Sequence, residues 1–157
     1  MIRVFLTIVL FAQSLIGLSQ CDAEPLFNRT LAVHYTYLPA ASGVGMEAGL
    51  TGMKSNLNVH MGVIAFMQNR ASMKESTELP PSGRLYSKVG YRFFRTDYLL
   101  SMYGNVLIGM DLDRGFFTAV GIKLLHPLGR NAISIEPIYI LSQNREINLQ
   151  LAFHFIL

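Results

Sequence analysis

The last twelve residues, Glu146 to Leu157, alternate more regularly than any other stretch of the chain. Ile147, Leu149, Leu151, Phe153, Phe155 and Leu157 share one face of an extended strand. Glu146, Asn148, Gln150, Ala152 and His154 share the other, and Ile156 is the single break. An exposed strand ending Phe-His-Phe-Ile-Leu would recruit other chains in water, because its edge is unpaired and its face apolar. That face calls for a non-aqueous neighbour.

The same period of two recurs upstream without a change of phase. Apolar faces run through Thr30–Leu38, Gly43–Thr51 and Asn56–Met67. After a polar loop from Gln68 to Gly83 they resume in Arg84–Phe94 and in a fifth segment from Tyr98 to Met110. A sixth follows the turn Asp111–Gly115, from Phe116 to Leu124. A seventh follows the turn His126–Arg130, from Ile133 to Leu141, and the terminal strand is the eighth. Arg95-Thr96-Asp97 reads as a tight turn. Pro137 predicts a local bulge, since proline removes a ladder donor.

No position on these apolar faces is charged. The opposite faces carry Glu47, Arg84, Lys88, Arg92, Lys123, Glu136 and Glu146 among small residues such as Gly45, Gly49, Gly62, Gly90, Gly109 and Gly121. A soluble lipocalin-like barrel would turn that second face to water, for which it is too sparse in charge. It fits instead the narrow interior of a small barrel, where eight strands leave room only for side chains. Composition agrees: 15% of residues are charged and 51% apolar, against about 25% charged in soluble domains. The net charge of +3 is dispersed, with no basic block of the kind that binds nucleic acid.

Residues 1–23 read as a secretory signal peptide: Arg3 gives the positive start and Val4–Leu18 the apolar core. Leu18-Ser19-Gln20-Cys21 loosely resembles a lipoprotein box, with Gln20 where a small residue is usual. Cys21 is the one cysteine, so disulfides cannot staple the mature chain. Residues 24–157 then form one domain, with no further apolar run as long as a membrane helix requires. A chain of this kind that spans a membrane does so with strands.

With odd strands running one way and even strands the other, the outward aromatics sort into two bands. Tyr35, Tyr37, Phe116 and Tyr139 fall toward one rim, and Tyr91, Phe93, Tyr98, Phe153 and Phe155 toward the other. Such girdles suit the two lipid–water interfaces. The terminal strand resembles the C-terminal signal strand of bacterial outer-membrane β-barrels, although Leu157 stands where that family usually ends in Phe. The mature chain as a whole is similar to small eight-stranded barrels of the OmpA-transmembrane or OmpX kind. The resemblance implies an all-β, antiparallel, up-and-down transmembrane barrel in the outer membrane of a Gram-negative bacterium. It also implies secretion through Sec, insertion by the barrel-assembly machinery, outer-membrane lipid as the neighbour, both termini in the periplasm and Gln68–Gly83 outside.

The candidate chemistry lies on the inward face. In the simplest register of the first three strands, Glu47 faces both His34 and His60, a trio of metal-ligand type. The favoured reading is that two imidazoles satisfy a buried carboxylate, with no metal and no cofactor. Arg84, Lys88, Arg92, Lys123, Glu136 and His154 complete the expected interior polar network. It either lines a narrow channel for ions or small solutes or, as favoured here, pairs internally into a plug. A lipid-modifying enzyme is disfavoured, because the outward hydroxyls Ser87 and Thr118 have no histidine beside them and every histidine is expected inward or in a turn. No catalytic motif stands in the mature chain. The expectation is therefore a non-enzymatic barrel with a structural or surface-interaction role, its envelope partner unidentified.

Overall fold

The computed structural model describes residues 27–39, 41–52, 55–68, 81–96, 100–142 and 146–157. The expected leader with Cys21, most of the polar loop 68–83, and Tyr98 lie outside the described residues. Eight strands form: β1 Phe27–Leu38, β2 Ala41–Gly52, β3 Leu57–Gln68, β4 Gly83–Arg95, β5 Ser101–Asp111, β6 Gly115–Leu128, β7 Asn131–Ile140 and β8 Ile147–Ile156. Each pairs antiparallel with its neighbour in sequence, and β8 pairs with β1 to close the barrel. The strands coincide with the eight alternating segments because a strict period of two leaves each segment only one way to sort its faces.

The barrel buries its charges inside and turns an apolar wall outward. Val106 is 54% exposed and Ile108 59%, whereas Lys88 and Glu136 are 1% exposed. Interior volume is shared by setting large side chains opposite glycine. His34 lies across from Gly45, Glu47 from Gly62, His60 from Gly49, and Asn58 and Asn105 both from Gly90. Tyr86 lies between Gly62 and Gly109, and Phe117 also faces Gly109. A methyl group at Gly62 would strike the Tyr86 ring, and one at Gly109 the Phe117 ring.

Four local expectations need correction. The turn after β5 is shorter than Asp111–Gly115, because Asp111 is itself the last residue of β5 and is buried. The β6–β7 turn is likewise only Gly129–Arg130, with Gly129 at a φ of 63°. His126 therefore belongs to β6, on the outward phase beside Ile133. Pro137 makes no bulge: β6 and β7 lose their pairing opposite it but keep one register on either side. A missing donor removes a bond without requiring an extra residue. The irregularity sits instead between Arg92 and Phe94 of β4, where the register with β5 shifts. Phe93 and Phe94 consequently both lie exposed, as an inserted residue in one strand dictates.

Candidate functional site

The interior is layered along the barrel axis. Toward the end that carries the 69–80 connection, Ile64, Leu107, Phe117, Ala119, Ile138 and Ile140 pack with Tyr86 into an apolar cluster, with Phe66 against it. Arg84 lies at this end and donates through Nε and Nη2 to Asp111, at 2.5 and 3.0 Å. Its guanidinium also stacks 4.4 Å from the Phe117 ring centroid. A planar fork held by a carboxylate and an aromatic face is the geometry that suits arginine over lysine.

Below this cluster, Glu47 of β2 is the hub. Its Oε2 lies 2.6 Å from Lys88 Nζ and accepts the Tyr86 hydroxyl at 2.9 Å. Its Oε1 lies 2.9 Å from His60 Nδ1 and 4.0 Å from Lys123 Nζ. The His60 approach is close but poorly aligned, so Oε1 and Nδ1 form no directed hydrogen bond. Lys88 continues to Glu136 at 2.9 Å, and Glu136 accepts Asn105 Nδ2 at 2.6 Å. Lys123 lies 5.8 Å from the Tyr103 ring centroid.

Tautomers follow from donor counting. The single Tyr86 proton goes to Glu47, so Tyr86 Oη must accept from His34 Nε2 at 3.2 Å and from Gln150 Nε2 at 3.3 Å. His34 is thereby the Nε2–H form, and its Nδ1 faces the Thr36 hydroxyl at 3.4 Å. His154 pairs with Ser134 at 2.8 Å, and His60 Nε2 with Thr51 at 3.2 Å.

The trio His34, Glu47 and His60 is not level. Glu47 is paired with Ala32 and Gly62, His34 with Gly45, and His60 with Gly49. The β1–β2 connection is shorter than Pro39–Ser42, since Leu38 already pairs with Ala41, and the β2–β3 turn is longer than Gly52–Ser55. Loop length sets hairpin register. His60 still reaches Glu47, whereas His34 reaches it only through Tyr86. Among the described residues no three His, Cys, Asp or Glu side chains converge as a metal site.

Of the other anticipated residues, Lys88, Lys123 and Glu136 join the hub. Arg84 and His154 stand apart with their own partners, and Arg92 reaches the Asn56 side chain at an exposed position. Residues missed from the sequence are Asp111, Asn105 and Gln150. Asp111 completes the charge balance of the interior: Arg84 has its own anion, and Lys88 and Lys123 balance Glu47 and Glu136.

Fold and interior together define a closed eight-stranded up-and-down β-barrel with an apolar outer wall and a charge-paired core. The likeness extends to a solved structure, the solution NMR structure of a de novo designed transmembrane β-barrel, TMB2.3, with a TM-score of 0.59 at 13% identity, covering 87% of this chain and 98% of that one. The resemblance to small eight-stranded transmembrane barrels is architectural. No protein-family model matches the sequence, and no curated protein is similar to it.

Proposed function

We propose that this chain is a transmembrane barrel of the Gram-negative outer membrane, carried there by its leader and inserted by the barrel-assembly machinery, with a structural or surface-interaction role. The observation that carries the reading is the inverted polarity of the barrel. An outer wall of exposed Val, Ile, Leu, Met, Tyr and Phe encloses buried Lys88, Lys123, Glu47 and Glu136. In water such a wall would be a very large exposed apolar surface, of the kind that drives association. In a bilayer it is solvated, and closure leaves no strand edge unpaired. The aromatics support the depth of insertion: Tyr35 and Tyr37 lie toward one end, and Tyr91, Phe153 and Phe155 toward the other, all exposed.

A plugged interior suits this geometry better than a channel. The apolar cluster fills one half of the lumen, and the ion pairs Lys88–Glu47 and Lys88–Glu136 cross the other. Catalysis on lipid is not part of the proposal. Ser87 is exposed on β4, while Thr118 and His126 are eight residues apart on β6, roughly 26 Å along a strand. Refolding the chain with preformed vesicles is the test. The reading expects a compact, protease-resistant, heat-modifiable barrel that stays with the bilayer in carbonate, and vesicles that hold an ion gradient. A water-soluble folded monomer, recovered without lipid or detergent, would overturn it.

A further inference from the structure

Six interior side chains form a single file along the barrel axis. Thr51 Oγ1 lies 3.2 Å from His60 Nε2, and His60 Nδ1 lies 2.9 Å from Glu47 Oε1. Glu47 Oε2 accepts the Tyr86 hydroxyl at 2.9 Å, Tyr86 Oη accepts from His34 Nε2 at 3.2 Å, and His34 Nδ1 faces the Thr36 hydroxyl at 3.4 Å. Thr51 stands near the end of β2 that pairs with Phe27, and Thr36 near the opposite end of β1, paired with Gly43. Every member is a hydroxyl, an imidazole or a carboxyl group, which takes a proton from one neighbour and gives one to the next. Lys88, Lys123, Glu136 and His154 stand beside the file and take no place in it.

Both ends of the file lead toward solvent. Thr51 is half-buried at the rim. At the other end Thr36 is paired with Gln150, whose Oε1 has no hydrogen-bond partner among the described residues, and neither polar atom of the buried Asn148 side chain has one. Buried amides in that position are satisfied by water. Glu146, on the same phase as Asn148, is half-buried and bonded to Arg114 at the far rim. The apolar cluster is built from β3 to β7 and leaves this stripe of β8 and β1 polar. Polar and ionisable side chains held in file at membrane depth are the material of proton relays.

We propose that this file is a proton path through a barrel closed to other ions. The path rests on the membrane reading above and gives the plug a transport property. Thr36 takes a proton from water and passes its own to His34 Nδ1. The His34 Nε2 proton goes to Tyr86 Oη, and the Tyr86 proton to Glu47 Oε2. While Glu47 is neutral, Lys88 keeps Glu136 as its anion. The Glu47 carboxyl group, out of line with His60 at rest, then turns over and hands the proton to Nδ1. His60 releases its Nε2 proton to Thr51 and the rim. Every group regains its proton count, the two imidazoles are left as the opposite tautomers, and restoring them limits turnover. Potassium or chloride cannot follow, because only hydrogen moves between packed side chains.

The test is proton flux into vesicles that hold the refolded full chain and the pH dye pyranine, driven by a potassium potential set with valinomycin. Acidification should outrun that of protein-free vesicles, while potassium is retained when valinomycin is left out. Tyr86→Phe keeps the ring between Gly62 and Gly109 and removes one hydroxyl, so proton flux should fall to the protein-free rate with potassium still retained. Thr36→Val should do the same, and it decides the matter if Tyr86→Phe does not fold. Thr118→Val, exposed on the outer wall, should leave the flux unchanged. Normal insertion with flux at the protein-free rate would overturn the path alone, as would full flux in both Tyr86→Phe and Thr36→Val. Potassium passing with the protons would mean an open lumen and defeat plug and path together. Failure to insert into any vesicle would defeat the membrane reading on which the path depends.

Discussion

Replacing Glu47 by glutamine tests whether the buried charges act as one balanced set. Glu47 is 2% exposed and touches Lys88, His60 and Tyr86 within 3 Å. Without its charge Lys88 still has Glu136, but Lys123 loses the one carboxylate within 4.0 Å of it among the described residues. Removing one member of a buried pair costs about 3–5 kcal/mol, because the remaining ion stays desolvated. That is a large part of a typical folding free energy of about 5–15 kcal/mol. Lys123→Met alone leaves Glu47 with Lys88 and should cost about 1–3 kcal/mol. The double change Glu47→Gln/Lys123→Met restores one cation to one anion, Lys88 to Glu136. It should cost less than the sum by about 0.5–3 kcal/mol, the range found for contacting residues. Urea unfolding in lipid vesicles gives the cycle. Far-UV circular dichroism is the probe, since the chain has no tryptophan. A Glu47→Gln cost below about 1 kcal/mol, or additivity within the roughly 0.5 kcal/mol typical of distant sites, would refute the coupled set.

Glu47→Lys should be worse than Glu47→Gln, since it places a third ammonium beside Lys88 and Lys123; the same urea titration ranks them. Val106→Arg, on the outer wall between Val89 and Val120, should cost about 2–4 kcal/mol near a bilayer midplane, and equal stability of the variant and the parent in lipid would remove the membrane reading. Asp111→Asn strips the anion from buried Arg84 and should cost about 3–5 kcal/mol, whereas Arg84→Met/Asp111→Leu should recover much of that loss, read from thermal midpoints. Deleting Phe155–Leu157 removes the pairs Leu31 to Phe155 and Thr30 to Ile156 and should leave the chain unassembled, scored by loss of heat-modifiable mobility on gels. Asp113 accepts the Ser82 amide at 2.7 Å, and the Ser82 side chain, with that amide, holds its carboxyl below the usual carboxylate range. Protection of the Ser82 amide should thus persist above pH 3.8 and fall as pH drops through the lowered value, and amide exchange in Asp113→Asn should show no such step.

The strands were legible because alternation is local: Glu146–Leu157 sorts its faces without knowledge of any partner. Register was not legible, because it depends on how many residues each turn spends, and composition does not reveal whether Pro39–Ser42 contains two connecting residues or four. The offset of Glu47 from His34 and His60 follows from that. Asp111 was hidden by its turn-like neighbours Leu112-Asp113-Arg114-Gly115, although the inward phase Tyr103, Asn105, Leu107, Gly109 points straight to it. His126 carried the same kind of signal, since Phe116 to Leu124 extends in phase to it. Asn105 and Gln150 were placed inward by the same phase, but nothing marked them as partners of the ions, because an amide has no charge that must be balanced.

The position of the glycines explains why the interior tolerates so many ions. Glu47, His60, Tyr86 and Asn105 come from four different strands, and each faces a glycine on a neighbouring strand. The side chains therefore converge on the axis without competing for wall space, and the two buried lysines find carboxylates on strands that are not their neighbours. Lys88 of β4 reaches Glu47 of β2 and Glu136 of β7. Such cross-lumen pairs form only when the barrel has closed, so they reward the final pairing of β1 with β8. A barrel stabilised this way has little freedom to open a lumen, because separating Lys88 from both carboxylates would expose three charges to a narrow apolar space.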